Sequence, residues 1–269
     1  MSPSPTVPTS VEYVRAADVK VIAALGDSLT HWRIWNLSKC HHTGKNISDQ
    51  IRNMIDTFKS YPGLNFEEDW KVVTMLIGMN DICDYCKDKT LFSPDSFIHY
   101  MTEALDMMMK EIPRTMVNVV QILPMRPLRE VQRPTPGCQL QKRFCSCLVQ
   151  PEENSTELKE LVEINAQFQR RLERLLHGER FFKKDFAVVL QPYLENAGAP
   201  RLPDGTIDLS FFTADCFHFT VKGHEELAKG LWNNVPACRR ERNNKDIFRA
   251  NTTHLPSKGA SLHLHQAPS

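Results

Sequence analysis

The sequence has no run of about 20 apolar residues, the length a helix needs to cross a bilayer. It has almost no net charge, with 33 Lys and Arg against 32 Asp and Glu. A chain so balanced lacks the basic field that gathers nucleic acid, and no nucleic-acid partner is expected. Residues Met1 to Ser10 are rich in Ser, Pro and Thr and lack the apolar stretch of a signal peptide. Internal repeats are absent, which removes solenoid and propeller architectures. What is there is ordinary globular composition, 41% apolar and 24% charged, and 269 residues suit one large α/β domain or two small ones. Positive charge is concentrated only near the end, at Arg239, Arg240, Arg242, Lys245, Arg249 and Lys258. Such a segment can lie on anionic lipid or simply be solvated. Eight cysteines and four Asn-x-Ser/Thr sequons, at Asn36, Asn46, Asn154 and Asn251, favour an oxidising compartment. The expected location is the secretory pathway, extracellular or at the cell surface, with the chain a piece or variant of a longer secreted or membrane-anchored protein.

Four short apolar runs read as buried parallel strands: Asp18 to Leu25, Lys71 to Ile77, Met116 to Leu123 and Asp185 to Leu190. Each is rich in Val and Ile and bounded by Gly, Pro or charge. Helical periods separate them. Ile47, Ile51, Met54, Ile55 and Phe58 share one face, and Phe97, Met101, Leu105, Met108 and Ile112 share another. Ser93-Pro94 is a cap followed by proline at the first helical position, and Pro113 is the stop. A third period runs from Glu157 to Leu176 through Leu158, Leu161, Val162, Phe168, Leu172 and Leu175, and a last helix is expected over Lys222 to Trp232. Alternating strands and helices predict an α/β layered fold around a mainly parallel sheet. The domain is expected over 17–235, between a disordered segment 1–16 and a poorly ordered basic tail 236–269. Residues 124–151 hold five prolines and three cysteines without a period, and are expected to be a long cross-linked excursion.

Chemistry is expected beyond the carboxyl ends of the strands, where open α/β sheets bind ligands. Gly26-Asp27-Ser28-Leu29 follows the first strand directly. Ser28 there is either a nucleophile or a cap and turn residue. Gly78-Met79-Asn80-Asp81 follows the second strand; the Asn80 amide can donate to developing negative charge, or the pair can be a simple turn. Asp215-Cys216-Phe217-His218 lies late in the chain. A short loop lets this Asp orient the imidazole, which then accepts a serine proton. His224 has no carboxylate at that spacing and reads as a helix-surface residue.

The three blocks occur in order on matching elements, and here the sequence resembles the GDSL (SGNH) hydrolases. Gly26-Asp27-Ser28-Leu29, Gly78-x-Asn80-Asp81 and Asp215-x-x-His218 look like the first, third and fifth sequence blocks of that family. The wording AALGDSLT, EDWKVVTMLIGMNDICDYC, NSTELKELVEINAQFQ and SFFTADCFHFTVKGHEELAKGLWNN is closer still to its phospholipase B type, over roughly Ala17 to Asn234. The resemblance implies a flavodoxin-like three-layer α/β/α sandwich. It implies Ser28, Asp215 and His218 as catalytic triad, the Ser28 N–H and the Asn80 amide as oxyanion hole, and no cofactor or metal. Substrates would be phospholipids, lysophospholipids or other lipid esters, met at a membrane surface.

The resemblance also implies a loss. Only 49 residues separate Ser28 from Gly78, where the family has a second strand and a glycine whose N–H is a third oxyanion donor. HWRIWNLSKCHHTGKNISDQ does not look like the family, and Gly44 is in the wrong context for that glycine. Either the polar, His-rich segment 31–46 replaces that strand, or the sheet lacks it, as after an internal deletion, and the domain is strained, with apolar surface and an unpaired edge exposed. The alternative to an active esterase is a catalytically silent variant that binds lipid or a partner. Cys83, Cys86, Cys145 and Cys147 can be drawn as a zinc site, but the sequons favour disulfides; Cys83–Cys86 and Cys138 to Cys145 or Cys147 are candidate pairs. His41-His42 and His263-x-His265 are expected to be solvent-exposed, and one or two of Met107, Met108 and Met109 to face the core.

Overall fold

A computed structural model describes residues 2–30 and 42–234, with the backbone alone at 140 and 141. The expected tail 236–269, Cys40, His41 and the His263-x-His265 pair lie outside the described residues. The strands are β1 (Val19–Gly26), β2 (Trp70–Leu76), β3 (Thr115–Val120), β4 (Phe182–Lys183) and β5 (Phe186–Gln191). They form one sheet in the order β1-β2-β3-β5-β4, parallel except for the short β4. All four strands read from the sequence are present, within a few residues at each end.

The helices are α1 (Ile47–Ser60), α2 (Met79–Asp84), α3 (Pro94–Glu111), α4 (Pro136–Phe144), α5 (Ser146–Val149), α6 (Thr156–Leu176) and α7 (Val221–Asn234). The apolar face of α1 read from the sequence is the face it buries. Ser93 Oγ accepts the Ser96 N–H at 3.1 Å and Ser155 Oγ accepts the Leu158 N–H at 3.2 Å, so both long helices start on a hydroxyl cap. α3 and α6 meet through stacked Phe97 and Phe168 rings, 4.7 Å between centroids. On α6, Ile164 and Leu176 are buried, while the expected Val162 is 39% exposed. The stripe is rotated because α6 packs on α3 as well as on the sheet.

Among the described residues β1 pairs with β2 only, so it stands at the edge of the sheet. Lys20, Ile22 and Ala24 are exposed, and Ile22 reaches 79%. At the end of the strand a side chain takes the place of a neighbouring strand. Gln50 of α1 accepts the Gly26 N–H and donates to the Gly26 carbonyl, both at 2.9 Å.

Two expectations need correction. The N-terminal stretch is not disordered throughout: Val11 and Val14 are buried with Trp70, Met116 and Ala187, and Trp70 Nε1 donates to the Pro8 carbonyl at 2.8 Å. Apolar residues in a polar stretch found the uncovered lower end of the sheet. The 124–151 excursion is cross-linked as expected, through Cys138, Cys145 and Cys147, and it also contains α4, α5 and a 3-10 turn at Arg126–Val131, elements too short to show a period. The disulfides are Cys83–Cys145, Cys86–Cys147 and Cys138–Cys216. Neither candidate pairing was right, and the pairing excludes the zinc reading. Cys83 and Cys86 lie at and just beyond the end of α2, so their partners come from across the excursion rather than from each other. Of the three expected methionines, Met108 is fully buried and its neighbours partly so. Asn154 is exposed, in the turn before α6.

The chain re-enters at His42 and is anchored at Gly44, whose N–H donates to both oxygens of Asp81, at 2.8 and 3.1 Å. Burial pushes the Asp81 carboxyl up to about 7, helped by the charge of Asp27 and opposed by the Gly44 N–H.

Two consequences are measurable. Folded Asp81 keeps its proton until about pH 7, whereas an unfolded aspartate loses it near its ordinary value of 3.8. Its contribution is full below that value and is lost as pH rises through 7. Between about pH 4.5 and 6.5 the stability of Asp81→Asn relative to wild type therefore improves, on the order of 1 kcal/mol per pH unit. Urea unfolding at several pH values reads this difference. The Cys138–Cys216 bridge closes a separation of 78 residues. Removing it as the double serine variant lowers stability by roughly 2–4 kcal/mol, measured by the same unfolding.

Candidate active site

The parallel register brings two loops to one edge. Gly26 of β1 pairs with Leu76 of β2, so the turn after β1 and the start of α2 sit side by side. Gly26 has φ +149°, and a Cβ there would lie 2.0 Å from the Leu76 carbonyl oxygen. Only glycine lets the chain turn so close to its neighbour. The turn is then pinned: Asp27 N–H and Thr30 Oγ1 both donate to the Leu76 carbonyl, and the Leu29 N–H donates to Asp27 Oδ1. Ser28 is held at its crest, 8% exposed.

The second component is a tight turn from Thr213 to His218. It sits on a narrow antiparallel bridge between Phe212 and Phe219. The Thr213 N–H donates to the His218 carbonyl and the Cys216 N–H to the Thr213 carbonyl. Asp215 turns back on its own loop and accepts the backbone N–H groups of Phe217 and His218, each at 3.1 Å. Cys216 carries φ +59°, a left-handed conformation uncommon for a side chain with a Cβ. Its bond to Cys138 and the close seating of Gly137 against the Ala214 carbonyl brace that turn from α4.

These two components meet. His218 Nε2 lies 2.8 Å from Ser28 Oγ, and His218 Nδ1 lies 2.6 Å from Asp215 Oδ2. The three residues singled out in the sequence are brought together in the order a hydrolytic triad requires. Burial alone would raise the Asp215 carboxyl, but hydrogen bonds from His218 and Thr213 and the imidazole charge outweigh it and hold it well below the usual carboxylate range. Asp215 is thus a fixed anion, which sets the tautomer: Nδ1–H donates to Asp215, and Nε2 accepts from the serine hydroxyl. Phe217 and Phe144 stand edge-on to the imidazole, at 5.1 and 6.4 Å.

Asn80 reaches the same edge, at the start of α2, where Gly78 takes φ +119°. Its amide Nδ2 donates to the His42 carbonyl at 2.9 Å. The Gly44 N–H is committed to Asp81, so Gly44 does not supply the third oxyanion donor. His224 is half-buried with its ring edge on Phe219 rather than free on the helix surface, and burial lowers its pKa. Three contributors escaped the sequence reading: Thr213, whose hydroxyl bonds Asp215 Oδ1; Gln50, which ties off Gly26; and Cys138, which reaches the triad turn from the excursion. Only the Thr213-x-Asp215 spacing was a local signal, and it is shared by many turns.

The sequence profile described as GDSL-like Lipase/Acylhydrolase matches residues 10–231. The chain is 34% identical to "Phospholipase B1, membrane-associated" of Mus musculus over 93% of its length, and 34% identical to the protein of that name in Homo sapiens over 87%. The Rattus norvegicus protein of the same name is 32% identical over 94%. The chain spans only about a fifth of the length of these relatives, 20–21%. The mouse alignment runs over 316 positions, more than the 269 residues of the chain, so that relative carries residues inside the matched stretch that this chain lacks. By its profile match over most of its length and by these relatives, the chain belongs to the GDSL-like lipase/acylhydrolase family.

Proposed function

We propose that this chain cleaves acyl groups from glycerophospholipids or lysophospholipids with Ser28 as nucleophile. The unbroken hydrogen-bond chain Ser28–His218–Asp215 carries the reading. Ser28 Oγ attacks the ester carbonyl while its proton passes to His218 Nε2. Asp215, already ionised, stabilises the imidazolium. Collapse expels the alcohol, which takes that proton and leaves an acyl group on Ser28. Water, deprotonated by the same imidazole, then releases the fatty acid and restores the serine. The Ser28 N–H and the Asn80 amide serve the oxyanion.

The relatives' printed name is membrane-associated phospholipase, which supports a lipid substrate met at a membrane surface. Three paired disulfides support a route through an oxidising compartment, extracellular or at the cell surface. No helix among the described residues is long and apolar enough to cross a membrane. A second reading, a catalytically silent lipid-binding variant, is favoured by one observation: the Asn80 amide donates to the His42 carbonyl.

The readings separate by experiment. Fluorophosphonate labels only a serine activated by its base; labelling of wild type that vanishes in Ser28→Ala supports the hydrolase, and soluble folded protein that never labels supports the silent variant. Asp215→Asn, which keeps the shape but loses the anion, lowers kcat by roughly 10³–10⁴ on a short-chain ester. Asn80→Ala lowers kcat by about 10²–10³ when the amide serves the oxyanion. Little change in that variant would mean the amide takes no part in the reaction.

A further inference from the structure

A cavity of about 400 Å³ lies under α7, next to the triad. Its walls include Leu29, adjacent in sequence to Ser28, and Phe212 and Phe219, the bridged pair that carries the Asp215–His218 turn. Leu128 and Leu227 of α7 line it as well. At Gly230 the helix backs onto Tyr193, so close that a Cβ would fall 2.9 Å from the ring. Burial pushes the Tyr193 hydroxyl well above its usual range, so that wall stays uncharged. Charge is confined to the α7 side, where Glu226 and Lys229 pair with each other at 2.6 Å.

Resting on the hydrolase reading, we propose that this cavity is the acyl-chain subsite and that Leu227 sets the chain length it accepts. The observations favour one hydrocarbon chain as occupant. The lining includes Leu29, next in sequence to Ser28, and Phe219, next to His218, so the cavity borders the segments that carry both residues. The volume is near the lower end of the ~300–1,000 Å³ usual for ligand sites. That holds one acyl chain and excludes the second chain of a diacyl lipid, which stays outside with the head group. The lining offers a chain apolar contact without a buried charge. α7 itself buries only Gly223 fully, and Leu227 and Leu231 rest partly covered against the core. An occupant therefore completes packing that the helix lacks.

The test has two arms. In wild type, kcat/KM is measured for p-nitrophenyl acetate, butyrate, octanoate and laurate. Each methylene that enters the cavity raises it by about fourfold until the cavity is full. Leu227→Trp narrows the cavity and lowers the laurate-to-butyrate ratio about tenfold or more. Ala199→Leu, from another wall of the same cavity, gives a smaller fall and serves if the tryptophan variant does not fold. In the second arm, laurate binding to the Ser28→Ala protein is measured by calorimetry, without turnover. Saturable binding that Leu227→Trp or Ala199→Leu weakens supports the subsite. No laurate binding, or binding and chain-length ratios that both variants leave unmoved, overturns it. Wild-type protein that fluorophosphonate never labels defeats the hydrolase reading alone, since the binding arm still decides what the cavity holds.

Discussion

The hydrogen bond between His218 Nε2 and Ser28 Oγ joins residues 190 positions apart, and most of the structure serves to make that contact possible. Two constraints meet in it. The parallel alignment of β1 on β2 fixes where Ser28 stands, because the Leu76 carbonyl pins the turn that carries it. The narrow bridge of Phe212 and Phe219 fixes where His218 stands, because Asp215 is locked within the turn it closes. Neither element is useful without the other. A neutral imidazole 2.8 Å from a hydroxyl accepts its proton; an angstrom of drift loses that geometry.

The excursion between β3 and α6 connects these parts. Cys83–Cys145 and Cys86–Cys147 bind it to α2 and the residues just after it, beside Asn80 and Asp81. Cys138–Cys216 binds its other side to the turn between Asp215 and His218. One segment thus spans from the oxyanion side of the site to the general base. Its short helices contribute little core of their own. Covalent links supply what local packing cannot, as they do in other small, loop-rich assemblies of oxidising compartments.

Periodicity made the sheet and its helical layer legible before any coordinates. The α1 face and the Ser93 cap came out as read, because amphipathic spacing and capping are local properties. That Ser28, Asp215 and His218 meet was legible for a different reason: they stand in short blocks whose order and context resemble a family. What stayed hidden depends on three-dimensional neighbours. No spacing rule pairs Cys138 with Cys216, 78 residues on. Nothing around Gln50 marks it as the side chain that meets the backbone of Gly26. Val11 and Val14 sit in a polar stretch, and their burial follows only from the exposed end of the sheet they cover.

The edge position of β1 weighs on stability more than on the contacts among Ser28, His218 and Asp215. Among the described residues β1 is held on one side only, and Ile22, 79% exposed, forgoes most of the ~1.5–3 kcal/mol that full burial of such a side chain contributes. Lys20 stands on the same strand as an exposed charge of the kind that discourages strand addition at an edge. Yet Ser28 takes its position from β2, through Leu76, and from Gln50 at Gly26. On the far side of the site the His42 carbonyl accepts from the Asn80 amide. That bond uses one of the two N–H groups of the amide and leaves the other for a further acceptor. The hydrogen bonds from Ser28 to His218 and from His218 to Asp215 are complete without any contact from the open side of β1.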